Sequence, residues 1–299
     1  MGKKGKIFCF SHYDLDGVIS YLVTKWAHPG YAIDYEPLAS VTDYRQCITT
    51  WLLKHNFSDY EKVFFLDLDV TCITDLIDFE NVIIIDHHKT HVENMKYTKA
   101  VAIVKEYSSA CLLAYKVFQK LYNITFNTAQ KTLIIYGNDY DSYTNELKES
   151  KMLNIIFWNT QKSFDSFVDN YNKGFREFTK EQTAIIRIFE NELSNIISTL
   201  KIFQGGYADV DGEYRVVVAT FADKHINDIS DYLLSKYDAD VVLIVNLKSN
   251  HVSFRRPKDG TMRLDVFAKD ISDGGGHEYS AGGKVTDFFT NFTKALKPI

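Results

Sequence analysis

The sequence predicts an α/β protein in which a doubly wound, mostly parallel sheet is joined by a helical linker to a smaller α/β domain toward the C-terminus. Two observations support this prediction. Short apolar stretches alternate with amphipathic ones along residues 7–141, which is typical of βαβ units and a parallel sheet. Residues 82–85 read Val-Ile-Ile-Ile, a β-branched run that predicts a strand buried on both faces.

The first part of the chain supplies most of this alternation. Val18, Tyr21 and Leu22 recur at helical spacing, and Ser108 or Ser109 precedes another periodic stretch as an N-cap. The predicted strands lie at 7–10, 32–38, 63–66 and 82–85. The predicted helices follow Gly17 and cover 44–55, 109–122 and 129–136.

The second part begins with weak signals for short helices and then becomes regular again. Thr179 and Gln182 form a capping-box signature, and a long connecting helix follows that Gly205-Gly206 should close. Later strands are predicted at 214–219, 240–247 and 251–256, with helices at 228–236 and 264–270. We therefore divide the chain into a catalytic domain (1–145), a helical insertion with its connecting helix (146–203) and a substrate-binding domain (204–299).

Composition limits the classes of function. The chain has 299 residues, 45% of them hydrophobic, and a net charge of −5, so it lacks the basic field that binding to long duplex nucleic acid requires. The four cysteines are widely spaced, which fits a reducing, cytoplasmic compartment. We expect neither a signal peptide nor a membrane association, because no apolar run approaches the roughly 18 residues of a spanning helix.

Acidic and imidazole side chains collect at the ends of the predicted strands and of one helix. Ligands of open α/β sheets bind at the carboxyl ends of the strands, so these side chains should converge. Crowded carboxylates cannot all stay ionised without cations, and mixed imidazole and carboxylate ligands suit Mn²⁺, with Mg²⁺ or Co²⁺ as substitutes. The residues are His12, Asp14, Asp16, Asp67, Asp69, Asp86, His87, His88, Asp139 and Asp141. So many ligands predict two metal ions that share one carboxylate.

These motifs resemble those of the DHH phosphoesterase superfamily. His-Tyr-Asp-Leu-Asp-Gly at 12–17 is similar to the first motif, Asp67 lies in the second, and Asp86-His87-His88 is similar to the signature. The fourth motif is matched by residues 137–141. Residues 252–255 and 274–282 resemble the DHH-associated C-terminal domain.

The resemblance implies a role for each position. His12 and Asp14 would hold one Mn²⁺, while Asp16, His87 and Asp139 would hold the other, and Asp67 would bridge both. His88 would act on the scissile phosphate, and Asp86 would support His87 by accepting its second N–H. Asp141 remains an alternative to Asp139. Asp69 is more simply a solvated loop acid or a helix cap.

The C-terminal motifs predict the substrate-binding residues. Consecutive glycines let the backbone approach an anion closely, which assigns Gly275 and Gly276 to the substrate, together with His277 beside them. Arg255 falls on the family's motif position, and its guanidinium suits bidentate phosphate binding.

The resemblance implies a manganese-dependent phosphodiesterase that hydrolyses short single-stranded oligonucleotides to nucleoside monophosphates, as nano-RNases do. Alternatives within the enzymes are hydrolysis of cyclic mono- or dinucleotides, of linear dinucleotides or of phosphoadenosine phosphate, and single-strand DNA digestion of the RecJ kind. An alternative of another class is a catalytically silent nucleotide sensor. A homodimer is possible.

Overall fold

A computed structural model describes residues 5–39, 41–144, 146–208 and 212–299, without the side chains of residues 277 and 288. The chain divides into two compact units, Met1–Ile186 and Arg187–Ile299. Each unit has its own sheet. The predicted limits at 145/146 and 203/204 stay predictions.

Unit 1 is built on five parallel strands in the order β2-β1-β3-β4-β5. The strands are β1 (Lys6–His12), β2 (Ala32–Leu38), β3 (Lys62–Leu66), β4 (Val82–Asp86) and β5 (Val101–Val104). Strand β5 was not predicted, because it has four residues of which three stay partly or fully exposed. All five strands point the same way, so their carboxyl ends form one edge.

Eight helices lie wholly within the described part of unit 1. They are α1 (Leu15–Ala27), α2 (Tyr44–Leu52), α3 (Thr74–Ile77), α4 (Lys89–Asn94), α5 (Ala110–Tyr122), α6 (Thr128–Asp141), α7 (Lys148–Asn159) and α8 (Ser163–Tyr171). Side-chain caps fix several starts: Asp14 accepts from the N–H of Gly17, and Ser109 accepts from that of Leu112. Of the two predicted N-caps of α5, Ser108 and Ser109, the structure has Ser109.

The helices cover both faces of the sheet. One apolar cluster contains Ile7, Cys9 and Phe64 with residues of α1, α5 and α7. The other contains Phe8 and Phe10, on the opposite face of β1, with residues of α2. Alternate side chains of one strand therefore pack into two separate hydrophobic cores, one on each face of the sheet, which confirms the doubly wound α/β class.

Helix α6 is longer than predicted. The sequence placed its end before Gly137, whereas the helix continues to Asp141. Helix α1 packs closely against α6 at Gly137, because a Cβ at this position would lie only 2.6 Å from Cδ1 of Ile19. Asp139 and Asp141 therefore belong to the last helical turn.

Helix α9 (Lys180–Thr199) crosses the division between the units. Its predicted capping box is present, because Thr179 N donates to Oε1 of Gln182 at 2.9 Å and Gln182 N donates to Oγ1 of Thr179 at 3.2 Å. The helix ends before Gly205-Gly206, which lie in a strand instead. No helix within the described residues is both long and apolar enough to cross a bilayer.

Unit 2 carries a seven-stranded sheet in the order β10-β11-β9-β8-β7-β6-β12, with β7 and β8 parallel and the other pairs antiparallel. The strands are β6 (Phe203–Ala208), β7 (Tyr214–Phe221), β8 (Val241–Asn246), β9 (His251–Arg255), β10 (Gly275–His277), β11 (Ser280–Lys284) and β12 (Lys297–Pro298). The helices are α10 (Ile226–Lys236), α11 (Leu264–Ser272) and α12 (Asp287–Thr293). The predicted second α/β domain is confirmed.

Candidate metal centre

The tip of β3 presents Asp67 at the middle of the carboxyl edge. Its backbone has a φ of 58°, a left-handed conformation that Asp adopts more readily than most residues. The N–H of Asp67 donates to the carbonyl of Ile85 at 2.9 Å, which ties the turn to β4. The carboxylate is only 3% exposed.

A first group of side chains lies where β1 meets α1. His12 Nδ1 lies 2.8 Å from Asp14 Oδ2 and 3.6 Å from Asp67 Oδ2. The three side chains offer ligand atoms within 4.8 Å of one another. One divalent cation can be held there.

A second group lies on the other side of Asp67. His87 Nε2 is 3.3 Å from Asp67 Oδ1, 3.4 Å from Asp141 Oδ2 and 3.8 Å from Asp16 Oδ2. Asp16, His87 and Asp141 also offer ligand atoms within 4.8 Å. The two oxygens of Asp67 thus face different groups, as a bridging carboxylate requires.

Outer hydrogen bonds orient the second group. His87 Nδ1 lies 3.2 Å from the carbonyl of Tyr107, so Nδ1–H donates to this carbonyl and Nε2 faces the carboxylates. Asp16 accepts from Ala110 N at 2.7 Å and Cys111 N at 2.9 Å, which are the first N–H groups of α5. Both side chains are therefore fixed before any cation binds.

The charges of this site are balanced by protons on its histidines. Burial opposes protonation of His12, but the adjacent carboxylates of Asp14 and Asp67 raise its pKa to about 11. Burial likewise opposes the charge of His87, and the Asp67 hydrogen bond with nearby Asp16 raises its pKa to about 11. Burial and the charge of Asp67 raise the pKa of Asp16 to about 7. The crowded carboxylates of this site therefore need positive charge beside them, which protonated histidines supply in the absence of metal.

The donor set fits a pair of divalent cations. Oδ2 of Asp141 is buried and accepts no hydrogen bond within the described residues. Burial and the neighbouring Asp16 raise the pKa of Asp141 well above its usual range. An orphaned carboxylate oxygen beside an imidazole nitrogen is what a divalent cation would satisfy.

Asp139 lies elsewhere. Its carboxylate accepts from Thr144 Oγ1 at 2.8 Å, Glu146 N at 3.0 Å and Leu147 N at 3.1 Å, so it holds the loop between α6 and α7. The structure does not bring Asp139 into a metal-binding group among the described residues, whereas it brings in Asp141. Residues two apart on a helix point to nearly opposite sides, so only one can face the site.

Asp86 supports a different histidine from the expected one. Its Oδ1 accepts from His88 Nδ1 at 2.7 Å and its Oδ2 from His91 Nδ1 at 2.6 Å, while His87 uses the carbonyl of Tyr107. His88 also forms a group with Asp67 and His87, and its side chain is 40% exposed. Asp69 accepts from Thr71 and Thr90, which is a structural role.

The predicted substrate-binding residues all belong to unit 2. Arg255 ends β9 and donates from Nη2 to Asn227 Oδ1 at 2.9 Å. A Cβ on Gly275 would meet nothing within 4 Å, whereas at Gly276, with a φ of 144°, it would lie 2.7 Å from Ala281 Cα. The side chain of His277 lies outside the described part of the structure.

Sequence reasoning missed three supports of the centre. The Tyr107 carbonyl is a backbone group without any sequence signal. His91 and Tyr97 extend the contacts of Asp86. The available signal for His91 was a third histidine shortly after the Asp86-His87-His88 run, at the start of the following helix.

A five-stranded parallel sheet with two ligand groups joined at Asp67 defines the class, a metal-dependent phosphoesterase hydrolase. Residues 6–138 match the DHH family, N-terminal domain. Residues 6–138, which contain the described ligand groups except for Asp141, are therefore similar to the N-terminal domain of the DHH family.

Solved structures show the same fold over nearly the whole chain. An exonuclease RecJ bound to manganese is 12% identical, with a TM-score of 0.58 over 97% of this chain and 89% of that chain. The pGpG-specific phosphodiesterase PggH from Vibrio cholerae is 11% identical, with a TM-score of 0.58 over 97% and 96%. RecJ from Thermus thermophilus with Mn²⁺ is 11% identical, with a TM-score of 0.56 over 97% of this chain and 51% of its own length.

The chain thus spans about half of the Thermus RecJ. At these identities the likeness concerns the fold alone. No curated protein matches the chain significantly in sequence.

Proposed function

We propose that the chain is a manganese-dependent phosphodiesterase that hydrolyses short oligonucleotides to nucleoside monophosphates. The observation that carries the proposal is the position of Asp67, whose two oxygens face separate ligand groups. A shared carboxylate between two such groups is the arrangement of two-metal phosphoryl-transfer sites.

The ligands follow from the two groups. His12 and Asp14 would hold the first ion, Asp16, His87 and Asp141 would hold the second, and Asp67, next to both His12 and His87, would be shared between them. Asp141 takes the place first given to Asp139. When bound, the pair of ions supplies an activated water nucleophile and stabilises the charge that develops at phosphorus.

The chain's own residues position these components. The Tyr107 carbonyl keeps Nε2 of His87 directed at the carboxylates, and the start of α5 holds Asp16. His88, half exposed beside Asp67 and His87, is placed to contact the scissile phosphate or to protonate the leaving oxygen. Arg255, Gly275, Gly276 and His277 bind substrate phosphate in this proposal.

Short substrates are favoured over long duplexes by the net charge of −5. The fold shared with PggH, which acts on pGpG, and with RecJ, an exonuclease, supports a phosphodiester substrate. Mn²⁺ is favoured because imidazole and carboxylate ligands are mixed, and RecJ has been solved with Mn²⁺ and with Mg²⁺. A cytoplasmic enzyme and a possible homodimer remain our expectations.

The test uses the full chain, stripped of metal and reloaded separately with Mn²⁺, Mg²⁺ or Co²⁺. Five-residue RNA, a five-residue DNA, pGpG, a cyclic dinucleotide and phosphoadenosine phosphate are supplied, and released mononucleotide or phosphate is separated by chromatography. We expect the highest kcat/KM on the short RNA or pGpG with Mn²⁺. Nucleotide binding without turnover of any substrate would indicate the silent sensor and refute the proposal.

Asp141→Asn and Asp139→Asn form a matched pair that tests the second ligand group. The Asp141 variant should bind one Mn²⁺ fewer and lose turnover, because its carboxylate belongs to the group around His87. The Asp139 variant should keep the metal stoichiometry and lose stability, because its carboxylate holds the following loop. Calorimetric titration with Mn²⁺ and thermal unfolding distinguish them, and the reverse pattern would restore Asp139 as the ligand.

A further inference from the structure

A buried chain of hydrogen bonds runs behind the metal centre from Tyr97 to His88. The Tyr97 hydroxyl lies 2.8 Å from His91 Nε2, and His91 Nδ1 lies 2.6 Å from Asp86 Oδ2. The other oxygen of Asp86 lies 2.7 Å from His88 Nδ1. Asp86 and His91 are both 0% exposed, so the contact between them is shielded from water.

The chemistry of these groups fixes where the protons lie. Each oxygen of Asp86 lies within hydrogen-bonding distance of one imidazole Nδ1, and the oxygens of a carboxylate can only accept. Both histidines must then donate through Nδ1–H. The Nε2 atom of His88 is therefore the one left for the reacting end of the site.

The contact from His91 also decides how Asp86 is held. Asp86 is the last residue of β4, and His88 and His91 lie at the start of α4. Without His91, Oδ2 of Asp86 would be a buried charged atom lacking its donor, which a carboxylate relieves by rotating or by taking up a proton. Either change would disturb the bond to His88 on the opposite oxygen.

We propose that His91, itself held by Tyr97, is a positioning residue that fixes Asp86 and thereby the orientation of His88. The effect on turnover rests on the proposed function, whereas the effect on the His88 ring does not. Among the described residues, His91 belongs to none of the ligand groups of the centre. The side chain of His91 therefore affects the His88 ring through its hydrogen bond to Asp86.

Three variants and one control test this proposal. His91→Leu removes the donor to Asp86, His91→Asn restores one because its amide nitrogen replaces Nδ1, and Tyr97→Phe removes the support behind His91. His28→Leu is the matched control. His28 is also buried and its Nε2 lies 3.3 Å from the Tyr122 hydroxyl, but its Nδ1 lies 2.8 Å from the carbonyl of Thr24 rather than beside a carboxylate.

We expect His91→Leu to lower kcat by about 10- to 100-fold, the usual cost of losing an outer partner. KM and the number of bound Mn²⁺ ions should stay unchanged, and His91→Asn should recover most of kcat. His28→Leu should lower the thermal midpoint without changing kcat per bound metal pair. A purely structural role of His91 would give the same result as His28→Leu, and would overturn the proposal.

Nitrogen-15 NMR of the histidine rings gives a readout that needs no activity. In the metal-free wild type, His88 and His91 should both show a protonated Nδ1, and the His88 signal should change in His91→Leu but persist in His91→Asn. An unchanged His88 signal in His91→Leu would refute the proposal even if no substrate were turned over. Should His91→Leu fail to fold, unchanged His88 and His91 signals in Tyr97→Phe would refute it equally.

Discussion

At the scale of single residues, Asp67 is the position on which the centre depends. Its carboxylate lies between His12 and His87, and these neighbouring imidazoles keep its pKa lowered although burial opposes this. Its left-handed backbone restricts which residues can replace it. Side chain and backbone must therefore be tested separately.

Asp67→Asn should separate the two requirements. Asn tolerates the left-handed conformation, so the fold should persist, while the lost charge should lower kcat/KM by more than about 100-fold, beyond the cost of losing an outer partner. Asp67→Ala should lose as much activity and be less stable. Activity assays and thermal unfolding check this, and wild-type turnover in either variant would contradict the bridging role.

Binding of Mn²⁺ should release protons. His12 and His87, each with a pKa raised to about 11, carry protons at neutral pH in the metal-free protein and must lose them to bind a cation. Affinity should therefore increase with pH between about 6 and 8, by up to about tenfold per pH unit for each proton released. Calorimetry in buffers of different ionisation enthalpy counts these protons, and a pH-independent affinity would contradict the assignment of both imidazoles.

At the scale of elements, the junction between β1 and α1 sets the first ligand group. Ser11 Oγ donates to the carbonyl of Gly17 at 2.7 Å, and the carboxylate of Asp14 accepts from Gly17 N at 2.9 Å. The helix start thus folds back against the strand end that carries His12. A Cβ on Gly17 would lie 2.1 Å from the carbonyl oxygen of His12, which leaves no room for any side chain.

Gly17→Ala should therefore damage stability and metal binding together. We expect the free energy of unfolding to fall by about 1–3 kcal/mol, as for overpacked sites, with weaker Mn²⁺ binding. Gly275→Ala is the control for stability, because a Cβ there meets nothing within 4 Å. Denaturant titrations and calorimetry measure both effects, and equal stability of the two variants would contradict the expected clash.

Sequence patterns predicted the elements whose signals are local. The β-branched run of β4 and the capping box of α9 depend on neighbouring residues, so both were found. The predicted end of α6 was wrong. Gly137 lies within the helix because Ile19, over a hundred residues away in sequence, packs closely against it. The choice between Asp139 and Asp141 depends on helix rotation, which composition does not encode.

At the scale of the whole molecule, the metal groups belong to one unit only. The candidate ligands among the described residues lie between His12 and Asp141, within Met1–Ile186. The three tryptophans, Trp26, Trp51 and Trp158, belong to the same unit. Their fluorescence therefore reports on the unit that binds metal.

Mn²⁺ should raise the unfolding midpoint seen by tryptophan fluorescence. At a free concentration of 100 times Kd, each site adds about 2.7 kcal/mol to the free energy of unfolding of unit 1. Chelation should reverse the shift, and Asp67→Asn should show little of it. A shift of the same size in that variant would mean that the ions stabilise the protein from another place.

The spread of the ligands along the chain has a consequence for synthesis. Asp141 leaves the ribosome well after His12, because five strands and six helices are completed between the start of β1 and the end of α6. Domains generally fold as units on a nascent chain, so the second ligand group is completed late. A nascent chain therefore lacks a complete second group until Asp141 has been made, and a divalent cation could occupy both groups only after that point.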